Sequence, residues 1–223
     1  MASDEERWRT PPAEERLAGR LTAHQPPGQV TARTTAATVL TELGQVDRVV
    51  YLAVAGTPTP TLDPPMRRLS RAADRSRLWL GIAAAMAVVG GREGRRAAAA
   101  GLVALAVDSA VVNAGFKLAA RRSRPDRTAA GVPAVRQVPM PHSASFPSGH
   151  AASGFAFANA VGQTLPVAAG PLRLLASVVA YSRVHTGVHY AGDVVVGAAI
   201  GATVGDIVGW GLPRLRRPPT GAR

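Results

Sequence analysis

Cysteine is absent from this chain, and aromatic residues make up only 4% of its 223 residues. The absence of cysteine excludes disulfide bonds and thiolate ligands for a metal ion. The shortage of Trp, Tyr and Phe leaves no visible platform on which the bases of a nucleic acid could stack. The apolar share of 47% therefore comes mainly from Ala, Val and Leu, with many Gly residues among them.

Negative charge is also scarce, with 14 Asp and Glu against 26 Lys and Arg and a net charge of +12. Every basic residue except Lys117 is arginine. Such a chain favours anionic partners, namely nucleic acid, anionic lipid or phosphate esters. The arginines cluster where apolar runs stop and do not follow one helix face, which is typical of charged loops between membrane segments. We therefore expect a membrane and no nucleic acid as partner.

The apolar residues form five runs, at 78–91, 97–116, 149–165, 171–182 and 193–212. The second run has the length of a membrane span, about 20 residues. All five are rich in small residues, which allow helices to approach closely in membrane bundles. We predict an all-α, multi-pass membrane bundle of five or six core helices, with a soluble Ala-rich bundle as the alternative.

The predicted domain organisation has three parts. Residues 1–33 form a disordered basic, Pro-rich tail, 34–212 the membrane domain, and 213–223 a basic C-terminal tail. Residues 35–56 carry a helical apolar stripe, but three ionisable groups interrupt it. Such a helix is a poor lipid-exposed span, so we expect it to lie at the interface or against the bundle.

Three polar groups lie inside apolar runs: Asp108 and Asn113 in the second, and Asp206 in the last. At that depth a polar side chain should face protein or a water-filled pocket. Interhelical hydrogen bonds are the expected role of all three.

Charged and polar residues form three clusters at the ends of apolar runs. They are "KLAARRSRP" from Lys117 to Pro125, "PSGH" from Pro147 to His150, and "SRVHTGVHYAGD" from Ser182 to Asp193. Arginine offers a planar fork suited to phosphate oxygens. A helix beginning after Ser148 would direct backbone N–H groups at an anion, and Gly149 would let the backbone come close. The clusters together predict a pocket for a tetrahedral oxyanion.

The histidines of the third cluster allow a second interpretation. His185, His189 and Asp193 are each four residues apart, so on one helix they would share a face. They have the right number of ligands for a catalytic zinc ion. Nearby cations such as Lys117 and Arg124 would repel that ion, which argues against this zinc-dependent hydrolase.

A phosphate ligand gives the same residues different roles. His189 can attack phosphorus, while Asp193 accepts the proton of the other ring nitrogen and fixes the tautomer. His150 can protonate the leaving oxygen. His185 is then spare, and we expect it to pack between helices or to support a site residue rather than to act in catalysis.

The three clusters match K-x6-RP, PSGH and SR-x5-H-x3-D at every fixed position, in order and at the spacing of one family. Over roughly residues 45–212 the chain resembles the type 2 phosphatidic acid phosphatase superfamily. The resemblance implies six core helices and hydrolysis through a phosphohistidine, without metal or other cofactor. It also implies that the catalytic residues are His189, His150 and Asp193, and that phosphate is bound by Lys117, Arg124, Ser148, Gly149 and Arg183.

A site at helix ends suggests a lipid whose phosphate lies at the membrane interface. The candidates are a prenyl phosphate or diphosphate, phosphatidate, and a prenyl-phosphoryl sugar phosphate. The Ala- and Arg-rich chain is similar to actinobacterial members of the family, some of which act on decaprenyl-phosphoryl ribose phosphate.

The competing hypothesis is a non-enzymatic basic membrane protein that binds anionic lipid. This hypothesis explains the arginines but not the three spaced clusters.

Overall fold

The computed structural model describes residues 32–116 and 122–215, and within these ranges all regular structure is helical. The α-helices are α1 (Ala32–Gly56), α2 (Asp63–Ala72), α3 (Arg77–Val89), α4 (Gly91–Ala110), α5 (Gly149–Thr164), α6 (Pro166–His185) and α7 (Ala191–Leu215). The prediction of an all-α fold is confirmed, and α3 to α7 each cover most of one of the five apolar runs. The chain divides into two compact units, Met1–Leu43 and Gly44–Arg223, of which the second contains the bundle.

The helices overlap the ends of both predicted tails. Residues 32–33 belong to α1 and residues 213–215 to α7. The rest of the predicted tails, residues 1–31 and 216–223, lies outside the described residues.

Helix α5 is the centre of the bundle and packs against α4, α6 and α7. Its contact with α7 is close because glycines recur every four residues on the facing side of α7. A Cβ atom at Gly197 would meet the carbonyl oxygen of Ser148, and one at Gly201 would meet that of Ala152. Small residues at this spacing let two helix backbones touch. The backbone N–H of Ser148 donates to the carbonyl of Asp193 at 2.9 Å, so the first turns of α5 and α7 lie side by side.

Polar residues inside the bundle link its helices. Asp108 of α4 accepts a hydrogen bond from Ser153 of α5 at 3.1 Å. Asp206 of α7 accepts one from the Asn159 amide of α5, also at 3.1 Å. The interhelical role predicted for these two aspartates is confirmed.

Asn113 departs from that prediction. Its amide donates to the Ser109 hydroxyl, four residues earlier, at 3.1 Å. The two residues are neighbours on one helix surface, because residues 111–116 continue α4 as a π-helical segment.

The C-terminal half of α1 packs against the bundle, one of the two predicted placements. Asp47 and Tyr51 are buried there. The Asp47 carboxylate accepts a hydrogen bond from the backbone N–H of Gly192 at 2.7 Å. It also forms an ion pair with Arg122 at 2.7 Å. Burial of a paired carboxylate explains why this helix tolerates charge.

Two helical segments among the described residues are long and apolar enough to cross a membrane, judged by length and composition alone. They are Gly91–Gly115 and Ala191–Gly211. Helices α3 and α5 contain only 13 and 16 residues. Both are shorter than the roughly 20 residues that span a bilayer.

Candidate active site

The candidate site lies where α5 and α7 begin and α6 ends. The second cluster, the third cluster and Arg124 come together there. Ser148 is extended, with φ −72° and ψ 108°, and Gly149 is the first residue of α5. The prediction that a helix begins at this point is therefore confirmed. Asp193 lies in the first turn of α7, and Arg183 in the last turn of α6. Lys117 lies outside the described residues.

His189 is buried between a cation and a carboxylate, with 2% of its surface exposed. Its Nε2 atom lies 3.2 Å from Nη1 of Arg124, and its Nδ1 atom lies 3.5 Å from Oδ2 of Asp193. The second distance is longer than an ordinary N–H···O bond, and Nδ1 has no hydrogen-bond partner among the described residues. Catalytic hydrogen bonds are often long before substrate binds. The arrangement favours the proton on Nδ1 and a lone pair on Nε2.

The three residues of the zinc hypothesis do not share a helix, which corrects the premise of that hypothesis. Helix α6 ends at His185, and Gly187 has a left-handed φ of 74°. A residue in this conformation ends a helix and turns the chain. His189 therefore lies in a loop, and Asp193 belongs to the next helix.

His185 belongs to a separate ionic cluster. Its Nε2 atom lies 3.0 Å from Oδ1 of Asp63, and the same oxygen accepts a hydrogen bond from Nε of Arg136 at 2.8 Å. Arg136 also donates to the carbonyl oxygen of Thr57 at 2.6 Å, so the cluster joins the α1–α2 connection to the end of α6. Among residues 32–116 and 122–215, no group of three or more His, Cys, Asp or Glu could hold a metal ion.

Asp193 is fully buried and held by several donors, in addition to facing His189. It accepts hydrogen bonds from the Ser145 hydroxyl, from the backbone N–H of Tyr190 at 3.0 Å, and from Arg122 at 2.8 Å. The Arg122 guanidinium also lies over the Tyr190 ring, 4.3 Å from its centre. These contacts fix the carboxylate in front of the histidine. Sequence reasoning missed all three donors, and the only signal was the position of Arg122 inside the first cluster.

Arg124 joins two loops around His189. Its guanidinium donates to the carbonyl oxygens of Ser143 at 2.9 Å and Val188 at 2.8 Å. The second of these carbonyls belongs to the residue before His189. Arg124 therefore positions the histidine and places a cation against its Nε2 atom.

His150 and Arg183 meet at a carboxylate that sequence reasoning also missed. Oδ1 of Asp74 lies 2.9 Å from Nε2 of His150 and 3.6 Å from Nη1 of Arg183. The hydrogen bond with His150 holds the pKa of Asp74 below its usual value. Asp74 lies in a short 3₁₀ segment between α2 and α3, where no sequence pattern marks it.

Besides Nδ1 of His189, two buried polar atoms at this site lack a hydrogen-bond partner in the described part of the chain. They are the hydroxyl oxygen of Ser148 and Nε of Arg183. Buried polar groups are nearly always hydrogen-bonded, and an unsatisfied donor costs about 1–3 kcal/mol. A hydroxyl and a guanidinium in this state, close to the N-terminus of α5, are suited to an oxyanion ligand.

Burial lowers the pKa of His189 to about 4, and the cations of Arg124 and Arg183 act in the same direction. We therefore expect the His189 ring to stay neutral from pH 8 down to about pH 5, whereas a solvated histidine titrates near 6.5. The measurement is an NMR titration of 13C-histidine-labelled protein, with the His189 signal assigned by its loss in His189→Gln. A midpoint between pH 6 and 7 would contradict a buried, neutral imidazole.

The chain is similar in sequence to one family of proteins and to relatives named as phosphatases. The sequence profile of the PAP2 superfamily matches residues 97–216. A decaprenylphosphoryl-5-phosphoribose phosphatase from Mycobacterium tuberculosis is 36% identical over 181 residues, covering 78% of this chain and 96% of that protein. A lipid A 1-phosphatase from Porphyromonas gingivalis is 36% identical over 121 residues, covering 52% of this chain and 24% of that protein.

Two solved structures share the fold. A transmembrane PAP2 type phosphatidylglycerolphosphate phosphatase from Bacillus subtilis has a TM-score of 0.60 at 22% identity, covering 80% of this chain and 89% of that chain. LpxE from Aquifex aeolicus has a TM-score of 0.57 at 24% identity, covering 73% and 94%. The predicted class of helical membrane bundle agrees with both.

Proposed function

The chain belongs to the PAP2 superfamily and is a membrane phosphatase for lipid phosphates, and we propose that it works through a phosphohistidine formed on His189. We also propose that it is a multi-pass protein of the cell membrane with no metal requirement. The observation that carries the mechanism is the buried set of donors around His189. Arg124 contacts its Nε2 atom, and the unsatisfied groups of Ser148 and Arg183 lie in the same site.

In the first step, Nε2 of His189 attacks phosphorus and the bond from phosphorus to the ester oxygen breaks. His150 gives its proton to that oxygen, so the product leaves as an alcohol. Asp193 stabilises the positive charge that develops on the His189 ring. The negative charge on the transferring group is balanced by Arg124 and Arg183, with the backbone N–H groups at the start of α5.

In the second step, water attacks phosphorus and the bond between phosphorus and Nε2 breaks. His150, which lost its proton in the first step, removes one from the water molecule. Inorganic phosphate leaves, and His189 and His150 return to their starting states. Lys117 supplies a further phosphate contact in this proposal, on the basis of the family pattern.

Asp74 acts here as a positioning residue for His150. It bonds the ring nitrogen at 2.9 Å and lies 3.6 Å from Arg183. A carboxylate in this place fixes the orientation of the imidazole, so that its other ring nitrogen can donate a proton to the leaving oxygen in the first step.

The proposed substrate is a lipid phosphate monoester or diphosphate. The relatives named above support this class, since one is named for a prenyl-phosphoryl sugar phosphate and another for a glycolipid phosphate. Prenyl phosphates, prenyl diphosphates and phosphatidate belong to the same class.

Removal of divalent cations is expected to leave activity unchanged. In detergent, hydrolysis of p-nitrophenyl phosphate should continue in EDTA and should not rise when Zn²⁺ or Mg²⁺ is added. Vanadate should inhibit, because it can adopt the five-coordinate geometry of the transition state. Activity that EDTA abolishes and Zn²⁺ restores would contradict the proposed mechanism.

A further inference from the structure

A cavity of about 350 Å³ lies beside His150, between α4, α5 and the 3₁₀ segment Asp74–Ser76. This volume is within the usual range for small-molecule sites. Hydroxyl, amide, carboxylate and guanidinium groups line it, from Arg75, Ser76, Asp108, Ser109, Asn113 and Ser153. Polar side chains therefore supply most of the lining residues, and Ala73 and Val112 add apolar surface.

We propose that this cavity binds the alcohol that His150 protonates, and that this alcohol is a sugar, such as a pentose, that carries several hydroxyl groups. The proposal rests on the proposed function, because it assumes that His150 is the acid of the reaction. It adds a binding site for the leaving group, and it selects the prenyl-phosphoryl sugar phosphate from the four predicted substrates.

The side chains in the cavity match the hydroxyl groups of a sugar. Ser109 and Asn113 are joined at 3.1 Å, which aligns two exposed polar groups along one wall. Ser153 of α5 and Asp108 of α4, also 3.1 Å apart, form a second pair that bridges the two helices. Serine hydroxyls and amides both donate and accept, and a carboxylate accepts, so adjacent hydroxyls of one ring can bond to both pairs.

The other three substrates fit this cavity poorly. The leaving group of a prenyl phosphate or of phosphatidate carries apolar chains close to its oxygen, which would desolvate the polar lining without replacing its hydrogen bonds. The leaving group of a prenyl diphosphate is itself a phosphate. Its charge would meet the carboxylates of Asp108 and Asp74, the second of which contacts His150. Arg75 is exposed at the edge of the cavity, where solvent screens its charge.

The test uses two synthetic probes with the same octyl tail, octyl phosphate and octyl ribofuranoside 5-phosphate. Both are phosphate monoesters of primary alcohols, and they differ in the pentose between tail and phosphate. We expect the wild-type protein to prefer the pentose probe in kcat/KM. In Asn113→Leu and Ser109→Ala the ratio of the two kcat/KM values should fall roughly 2- to 12-fold, the usual effect of losing one hydrogen bond. Both residues are exposed, so the variants should fold.

Ser177→Ala is the matched control, because Ser177 is an exposed serine on α6 that bonds only the carbonyl of Arg173. Its ratio should equal that of the wild type. Equal kcat/KM for both probes in the wild-type protein, or a ratio unchanged in both cavity variants, would overturn the leaving-group site. If the wild-type protein hydrolyses neither probe, the result would instead contradict the proposed function.

Discussion

His189→Ala is expected to reduce kcat/KM for every phosphate ester by a factor on the order of 10⁵–10⁶, the loss that follows removal of a covalent nucleophile. His189 contacts both Arg124 and Asp193, and the alanine side chain has no atom that can replace Nε2 in the attack on phosphorus. The measurement is phosphate release from p-nitrophenyl phosphate and from octyl phosphate, with folding checked by monodispersity in detergent.

His185→Ala is the control, because it removes the same side chain from the other histidine of the cluster. Its kcat should stay within a few-fold of the wild type. Its stability should fall by about 0.5–1.5 kcal/mol, the usual value of one hydrogen bond, because the buried oxygen of Asp63 loses the ring but keeps its bonds from Arg136 and Thr59. Equal and complete loss of activity in both variants would contradict the separate roles of the two histidines.

His150→Ala is expected to reduce kcat/KM by a factor of about 10²–10⁴ for octyl phosphate, and by less than about 10-fold for p-nitrophenyl phosphate. The alkoxide from octyl phosphate needs a proton as it leaves, whereas nitrophenolate is stable without one. The loss of kcat/KM in His150→Ala should therefore increase with the pKa of the leaving alcohol. The measurement is kcat/KM across a series of aryl and alkyl phosphates.

His142→Ala is the control for this series, because His142 is an exposed loop histidine before the second cluster. Its kcat/KM should match the wild type on every ester. A loss in His150→Ala that is the same on aryl and alkyl phosphates would mean that His150 binds phosphate but does not act as the acid.

The sequence predicted the helices and the residues that meet, because both depend on local patterns. Apolar runs determine where helices form, and the clusters flank these runs. Local reasoning therefore predicted that His150 and Asp193 lie in the first turns of helices, and that Arg124 and His189 lie in the segments beside them. The same local reasoning was wrong about the geometry of the third cluster. It assumed one continuous helix, but Gly187 ends α6 and separates His185 from the site.

The supporting residues could not be predicted, because each reaches the site from a distant part of the chain. Asp74 contacts His150 across 76 positions, and Arg122 and Ser145 contact Asp193 across 71 and 48. Nothing in the sequence around Asp74 or Ser145 distinguishes it from an ordinary loop residue. These contacts arise from the packing of α5 against α7 and from the loops that this packing brings together.

The covalent intermediate on His189 is tested most directly by trapping the phosphoenzyme in the His150→Ala variant. With p-nitrophenyl phosphate the first step needs no acid, but the second step still needs a base to activate water, so the phosphoenzyme should accumulate. Rapid quenching at alkaline pH, which preserves phosphohistidine, followed by mass spectrometry of the peptides is expected to give a burst of about one nitrophenolate per chain and a phosphoryl group on His189. Linear release of nitrophenolate without a burst and without phosphate on His189 would contradict the account.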